Sequence, residues 1–214
     1  DILKCCLQSI RKFTKYINYE IVVVDNGSND SNRKEYEKLV DTFEGQASYV
    51  YEKADFNFSH MCNVGAAKAK GNLLLFLNDD IEIIGQDYED TDWLSVLVGQ
   101  AKQESTGAVG AKRLYPDSSY IQHVGVINYE SSCFAHLYAK AVDDENIKAH
   151  RNYADYDCLC VTGACFMIEK AKFDKAGGFD EAFEVTHNDV DICLTLYEQG
   201  YYNVLRNDVV LFHH

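Results

Sequence analysis

Residues 73–80 read LLLFLNDD, and this stretch decides the predicted fold class. Five apolar residues in a row, closed by polar turn residues, are typical of a strand that is buried on both faces of a parallel sheet. Residues 20–25 read EIVVVD and repeat the pattern, with a cluster of turn residues at 26–30. Both segments therefore predict strands of one buried sheet, each ending in carboxylates.

Helix and strand patterns alternate over the first half of the chain. This alternation predicts an α/β domain with an open, mostly parallel sheet. Ligands of such sheets bind beyond the carboxyl ends of the strands, where Asp25 and residues 78–80 fall. Helices are predicted at 3–13, 36–43 (capped by Asp30 or Ser31), 59–70 (closed by Gly71), 93–101 and 188–199, and further strands at 48–51, 107–111, 121–127, 158–168 and 209–212.

The chain of 214 residues carries a formal net charge of −14, from 20 Lys and Arg against 34 Asp and Glu. A domain this acidic has no basic footprint for nucleic acid, and a polyanionic substrate would need a bound cation to be accepted. The eight cysteines form no CxxC pair and lie mostly in apolar runs, which predicts buried thiols in a reducing, cytoplasmic compartment. No apolar run approaches the ~20 residues that a membrane span needs.

Carboxylates at the strand ends are the first candidates for chemistry. Asp79 and Asp80 are adjacent and repel each other, and a hard cation such as Mg²⁺ or Mn²⁺ would relieve that repulsion and neutralise a diphosphate. Asp25 can accept hydrogen bonds from a nucleotide base or a ribose. For both segments, a plain solvated turn is the alternative interpretation.

Two further sites follow later in the chain. Asp189 and Asp191 lie in the first turn of a predicted helix, where they either favour the helix dipole or, in the case of Asp189, serve as a general base. His213 and His214 follow an apolar strand, and a histidine at that position can complete a metal site.

In their order and spacing, these segments resemble the family 2 glycosyltransferases, which have a Rossmann-like GT-A fold with helices on both faces of the sheet. The resemblance implies inverting transfer of a sugar by a hexosyltransferase-type enzyme that uses Mg²⁺ or Mn²⁺. The donor would be a UDP-, dTDP- or GDP-linked sugar, and the acceptor a glycan or a lipid-linked glycan. The matching stretches cover essentially the whole chain and are residues 20–30, 57–71, 74–82, 162–164, 177–181 and 187–193.

The resemblance also implies a role for individual residues. Asp189 matches the catalytic base, and Asp80 and His213 match metal ligands, with His214 as the alternative to His213. The positions implied to contact the donor are Asp25, Asn63, Asn78 and Asp79. The positions implied to border the acceptor are Gly178, Phe179, Asp180, Glu181 and Asp191.

The resemblance further divides the chain into a nucleotide-sugar-binding half, residues 1–110, and an acceptor-binding half, residues 111–214. Family members begin with an apolar strand that has no counterpart here, so we expect a domain truncated at its N-terminus. The 57–71 stretch and the Asn-Asp-Asp turn look like those of bacterial enzymes that build cell-surface polysaccharide. Such an enzyme would work at the inner face of the plasma membrane, and homo-oligomerisation stays open.

Three other functions stay open from the sequence. A glycoside hydrolase would use Asp79 or Asp80 with Asp189 as a carboxylate pair and would need neither nucleotide nor metal. A nucleotidyltransferase would need a Gly-rich, basic phosphate loop near the N-terminus, and none is visible. A non-catalytic carbohydrate- or partner-binding module that retains the fold would bind nucleotide-sugars without turnover.

Overall fold

Helices and strands alternate along the first half of the chain, as the sequence pattern predicts. The computed structural model describes residues 2–85, 92–129 and 133–214. The helices are α1 (Ile2–Phe13), α2 (Asp30–Asp41), α3 (Phe58–Lys68), α4 (Trp93–Ala101), α5 (Lys170–Ala176) and α6 (Asn188–Glu198). The strands are β1 (Ile21–Asp25), β2 (Ala47–Tyr51), β3 (Leu73–Leu77), β4 (Ile81–Ile83), β5 (Thr106–Leu114), β6 (Ile121–His123), β7 (Val126–Tyr129), β8 (Cys133–His136), β9 (Tyr156–Cys158), β10 (Cys165–Glu169) and β11 (Tyr202–His213).

The main sheet is mixed and has seven strands. Its order is β3-β10-β5-β11-β4, with β6 paired to β5 and β9 paired to β11. Strands β3, β5 and β11 run in one direction, and β10 lies antiparallel between β3 and β5. Because β4 follows β3 after a short turn and pairs with the end of β11, the turn after β3 lies beside the last residues of the chain.

Two apolar cores cover the two faces of this sheet. Alternate residues of a strand point to opposite faces, so Ala108 of β5 packs into one core and Val109 into the other. Helices α5 and α6 contribute to the first core, and α1 and α4 to the second. This arrangement confirms the predicted α/β class with helices on both faces. Among the described residues, no helix is long and apolar enough to span a membrane.

Helix boundaries differ from the sequence prediction where capping decides them. Helix α2 is capped by Asn29, whose side chain accepts hydrogen bonds from the N–H groups of Ser31 and Asn32, rather than by Asp30 or Ser31. Helix α3 ends at Lys68 because Ala69 adopts an extended conformation, so Gly71 does not close it.

Strand boundaries in the second half also differ. The predicted strand at 121–127 is two strands, β6 and β7, because Gly125 lies between them with φ of 100°. The predicted strand at 158–168 is likewise divided into β9 and β10. Strand β11 is much longer than predicted and pairs along its length with β5 and, over shorter stretches, with β4 and β9.

Strands β1 and β2 form a separate parallel pair, and a groove separates β1 from the main sheet. The groove has a volume of about 1060 Å³ and is lined by every residue of β1 and of β3, together with parts of α1, α3 and α4. The apolar side chains of residues 21–24 are only half-buried as a result. Among the described residues no strand pairs with both β1 and β3, so the groove between them has room for one.

An added strand is therefore predicted to stabilise the domain. Five apolar side chains in the groove would each contribute about 1.5–3 kcal/mol, against an ordering cost of roughly 1.5 kcal/mol per residue. We expect a designed apolar strand, joined through a short turn to Ile2, to raise the melting temperature by about 5–15 °C. A matched extension with Ser at the apolar positions is the control, and equal melting temperatures for the two would contradict the prediction.

Candidate active site

The polar turn after β3 joins the groove to the end of β11. The Asn78 N–H donates to the Ala164 carbonyl (3.1 Å), and the Ile81 N–H donates back to the Asn78 carbonyl (3.3 Å), which closes the turn. The exposed side chain of Asp79 lines the groove. Asp80 faces His213 instead, with 3.0 Å between Asp80 Oδ1 and His213 Nε2. The two adjacent carboxylates therefore face different surroundings, Asp79 the groove and Asp80 the His213 ring.

Gln122 fixes the orientation of the His213 ring. Its side-chain nitrogen donates to the His213 carbonyl (3.2 Å), so its oxygen faces His213 Nδ1 at 2.5 Å. In a neutral imidazole only one nitrogen carries a proton, and here that proton lies on Nδ1 because Gln122 Oε1 can only accept it. In the neutral ring the lone pair of Nε2 then faces Asp80, whereas a protonated ring donates from Nε2 to that carboxylate.

The Asp80–His213 pair fits a divalent cation. Asp80 Oδ1 is buried without a hydrogen bond, although His213 Nε2 lies 3.0 Å away. In the neutral form of the ring two lone pairs face each other at that distance, which is also the distance between two ligands of an octahedral ion at about 2.1 Å and 90°. Burial alone would raise the pKa of Asp80, but a hydrogen bond from a protonated His213 and its charge, and then Arg113, lower it, which keeps the carboxylate ionised.

Two protein ligands are enough for such an ion when a substrate supplies the rest. Within residues 2–85, 92–129 and 133–214, no group of three or more His, Cys, Asp or Glu side chains is placed to hold a metal. Mg²⁺ in particular is commonly held by one or two carboxylates together with substrate phosphates and water. The imidazole of His214, the alternative ligand from sequence, contacts Glu82 (3.0 Å), and only the backbone N–H of His214 contacts Asp80, by donating to its carbonyl (3.0 Å).

Replacing Gln122 is predicted to weaken metal binding without touching a ligand. Residues that orient a ligating histidine typically contribute 10–100-fold to metal affinity. We expect Gln122→Ala to lower Mn²⁺ affinity by about that factor in a calorimetric titration, because the His213 ring is then free to turn. Gln103→Ala, an exposed change distant in the fold, is the control, and unchanged Mn²⁺ affinity in Gln122→Ala would contradict the prediction.

Asp189 lies at the start of α6 with both carboxylate oxygens held by backbone. Its Oδ2 accepts from the Gly163 N–H (3.0 Å) and its Oδ1 from the Val190 N–H (2.9 Å). The N-cap residue of this helix is His187, so Asp189 is not the cap, although it accepts from one N–H group of the first turn. The side chain is nonetheless only half-buried, and each oxygen keeps a lone pair for a further hydrogen bond. Asp189 can therefore accept from these two backbone N–H groups and still accept a proton.

A buried basic cluster beside these carboxylates was not predicted from the sequence. Arg113 of β5 is paired in register with His123 of β6, and only 2% of Arg113 is exposed. Burial lowers the pKa of Arg113 to about 10, while the charges of Cys165, Asp189 and Asp80 raise it, so the guanidinium stays protonated at neutral pH. The only sequence signal is a charged pair, residues 112–113, inside an otherwise apolar strand.

Three of the four predicted donor contacts line the groove. These are Asp25, Asn78 and Asp79. Asp25 is 7% exposed; its Oδ1 accepts from the Ser28 N–H (2.9 Å), and its Oδ2 contacts the Tyr49 hydroxyl. Burial, followed by the neighbouring Asp80, raises the pKa of Asp79.

The fourth predicted donor contact, Asn63, instead forms hydrogen bonds with the loop that follows α5. Its side-chain nitrogen donates to the Phe179 carbonyl (2.9 Å) and to Glu181 Oε1 (3.0 Å), and its oxygen accepts from the Phe179 N–H (3.0 Å). Gly178 is required there, because its φ is 77° and an added Cβ would lie 2.9 Å from Asn63 Oδ1. A donor contact by Asn63 would have to replace these hydrogen bonds.

The predicted acceptor border needs one correction. The Phe179 side chain is 1% exposed and packs among Phe58, Phe76, Phe166 and Phe173, so it belongs to the core and cannot contact an acceptor. Asp180 and Glu181 are exposed, and Asp191 is half-buried. Burial, followed by the charge of Asp180, raises the pKa of Asp191.

An α/β domain with carboxylates at its strand ends, a histidine facing one of them and a groove beside them defines a ligand-binding enzyme domain. A family model described as "Glycosyl transferase family 2" matches residues 1–177. The chain therefore belongs to glycosyl transferase family 2.

Two curated relatives match the whole chain. It is 32% identical over 220 residues to the uncharacterized protein y4gI of Sinorhizobium fredii, covering 100% of this chain and 23% of that protein. It is 32% identical over 217 residues to the O-antigen biosynthesis protein RfbC of Myxococcus xanthus, covering 100% of this chain and 16% of that protein. The chain thus spans less than a quarter of the length of either relative.

Solved structures share the fold at low sequence identity. GalNAc-T7 with UDP, GalNAc and Mn²⁺ matches with a TM-score of 0.76 at 18% identity, over 97% of this chain and 40% of that one. The mannosyltransferase PcManGT of Pyrobaculum calidifontis, in complex with GDP-Man and Mn²⁺, matches with a TM-score of 0.71 at 16% identity, over 99% of this chain and 52% of that one. The fold is therefore that of the GT-A glycosyltransferases.

Proposed function

We propose that this chain is the catalytic domain of a metal-dependent, inverting glycosyltransferase that moves a sugar from a nucleoside diphosphate to a hydroxyl group. The observation that carries the proposal is the 3.0 Å separation of Asp80 Oδ1 and His213 Nε2, at which a protonated His213 forms an ion pair with Asp80 and a neutral His213 can share a divalent ion with it. The proposed function rests on the second of these arrangements, the shared divalent ion. The Mn²⁺ and nucleotides named for the two related structures support the same ligand class.

Asp80 and His213 would hold Mg²⁺ or Mn²⁺ in this proposal. When bound, the ion supplies Lewis-acid stabilisation of the diphosphate that departs from the sugar. The domain has a net charge of −14, so a diphosphate would otherwise meet a repulsive field. The groove supplies hydrogen-bond acceptors for a base or a ribose from three residues that line it, Asp25, Asn78 and Asp79.

Asp189 would act as the general base. It takes the proton of the acceptor hydroxyl as that oxygen bonds to the anomeric carbon, and the bond to the diphosphate breaks with its electron pair leaving on oxygen. A single displacement from the opposite face inverts the configuration. The Gly163 and Val190 N–H groups donate to the carboxylate and keep it oriented during this step. Neither amide gives up its proton, so the carboxylate can still take the proton of the acceptor hydroxyl.

The O-antigen relative supports a role in building bacterial surface polysaccharide, with a glycan or lipid-linked glycan as the acceptor. The donor sugar and nucleotide follow from neither the groove nor the relatives. We therefore propose a hexosyltransferase whose donor is linked to UDP, dTDP or GDP.

A screen of UDP-, dTDP- and GDP-linked sugars, with and without Mn²⁺, tests the proposal. We expect one nucleotide class to raise the melting temperature only when Mn²⁺ is present. Nucleotide-sugar consumption is measured in the same samples, because the non-catalytic alternative predicts stabilisation without turnover. Metal-independent stabilisation by free sugars, without any effect of nucleotides, would instead favour a hydrolase or a lectin-like module.

A further inference from the structure

Two of the three guanidinium nitrogens of the buried Arg113 have no hydrogen-bond partner among the described residues. The residue is 2% exposed, and neither its Nε nor its Nη1 atom has a partner. A buried charge without hydrogen bonds is strongly unfavourable, so such a group needs a partner from outside the chain, a water or a ligand. An anionic ligand is one such partner.

The two neighbouring histidines do not serve as that partner, because their ring nitrogens are already engaged. His123 Nε2 accepts from the Gly125 N–H (3.3 Å), and its Nδ1 lies 2.8 Å from His136 Nδ1. The neutral His123 therefore donates to His136 and offers Arg113 no lone pair. Burial, followed by the charge of Arg113, lowers the pKa of both histidines, so neither adds a competing cation.

The two nearby carboxylates are also directed elsewhere. Asp189 is held by two backbone N–H groups, and Asp80 faces His213. The strand register places Arg113 close to this site, because it pairs with Leu211, two residues before His213, and with His123, the neighbour of the Gln122 that contacts His213. Arg113 thus lies near the proposed metal ligands.

We propose that Arg113 binds the diphosphate of the nucleotide-sugar donor, donating hydrogen bonds to its non-bridging oxygens beside the metal. This inference rests on the proposed function. The diphosphate gains one negative charge when the sugar departs, and a fixed guanidinium stabilises that added charge without reorganising. Arg113 is therefore a donor-binding residue that favours the departing diphosphate over the intact donor.

Calorimetric titration with Mn²⁺ and inorganic pyrophosphate tests the inference without requiring the correct base or sugar. In Arg113→Gln we expect Mn²⁺–pyrophosphate affinity to fall by about 10–100-fold, while the affinity for Mn²⁺ alone stays within about threefold. Arg113→Lys keeps the charge but loses the planar fork, so it should lose less affinity and covers the case in which Arg113→Gln fails to fold. Arg206 lies on β11, the strand beside the one that carries Arg113, and is paired with Asp155 and Asp208. The Arg206→Gln variant is the control and should bind pyrophosphate like the wild type.

Folded Arg113→Gln or Arg113→Lys that binds Mn²⁺–pyrophosphate as tightly as the wild type would overturn the inference alone. If the wild type bound no Mn²⁺–pyrophosphate, the proposed function would fail together with it. A loss of affinity in Arg206→Gln as large as in Arg113→Gln would also overturn the inference, because the effect would then be one of general stability.

Discussion

Replacing Asp189 with Asn is expected to lower the transfer rate by about 10²–10⁴-fold, the usual contribution of a positioned general base. The amide keeps an oxygen that can accept from the Gly163 N–H, so the first turn of α6 should fold as before. An amide cannot take the acceptor proton at neutral pH, and this is the reason for the loss. Mn²⁺-dependent nucleotide binding should stay within about threefold, because Asp189 does not face the pair that holds the metal.

The measurement is the initial rate of sugar transfer, in the 214-residue chain and in the chain extended by the groove-filling strand. Glu198→Gln is the matched control, since it removes an exposed carboxylate from the last turn of the same helix. Near-wild-type transfer by folded Asp189→Asn would refute the assignment of the base. A fall in nucleotide affinity that equals the fall in rate would show a binding role instead.

Removing the metal, or its ligands, is expected to have the second large effect. Charge stabilisation by a bound ion lowers the activation barrier by several kcal/mol, so chelation with EDTA should lower the rate by about 10³-fold or more. Activity should return on addition of Mn²⁺ or Mg²⁺. Asp80→Asn and His213→Ala should each show the same loss, because each leaves the ion with one protein ligand.

The neighbouring pair of Glu82 and His214 is a close control. Its atoms lie at the same separation of 3.0 Å, but its side chains are 41% and 44% exposed, against 30% and 19% for Asp80 and His213. His214→Ala should therefore retain metal-dependent activity. Equal losses in His213→Ala and His214→Ala would show that Asp80 and His213 do not form the metal site. Full activity in EDTA would show that no metal is needed.

The residues that could be predicted from sequence are those fixed by local pattern. A continuous apolar strand that ends in carboxylates is a local signal, and it located Asp25 and the turn at Asp79 and Asp80 correctly. The same holds for Asp189 in the first turn of a helix and for His213 at the end of a strand.

The residues that could not be predicted depend on register between distant strands. Gln122 and His123 reach the site only because β6 pairs with β5 and lies near the end of β11, and no pattern within residues 121–123 specifies that pairing. Arg113 becomes notable only once its burial is known. Phe179 shows the opposite error, since its motif matched an acceptor border while its side chain packs in the core.

The length of the relatives sets the scope of these proposals. Because the chain spans less than a quarter of either curated relative, the proposals made here concern this domain alone. The acceptor and the linkage formed are properties that the remaining length of such proteins can also influence.

The central claim is that Asp80 and His213 together hold the ion that binds the donor diphosphate. A crystal structure with Mn²⁺ and the best-binding nucleoside diphosphate, with anomalous scattering measured at the manganese edge, tests it most directly. We predict one strong anomalous peak at about 2.0–2.3 Å from both Asp80 Oδ1 and His213 Nε2, with phosphate oxygens completing the coordination. Bound nucleotide with no peak between these two atoms, or with a peak elsewhere, would contradict the claim.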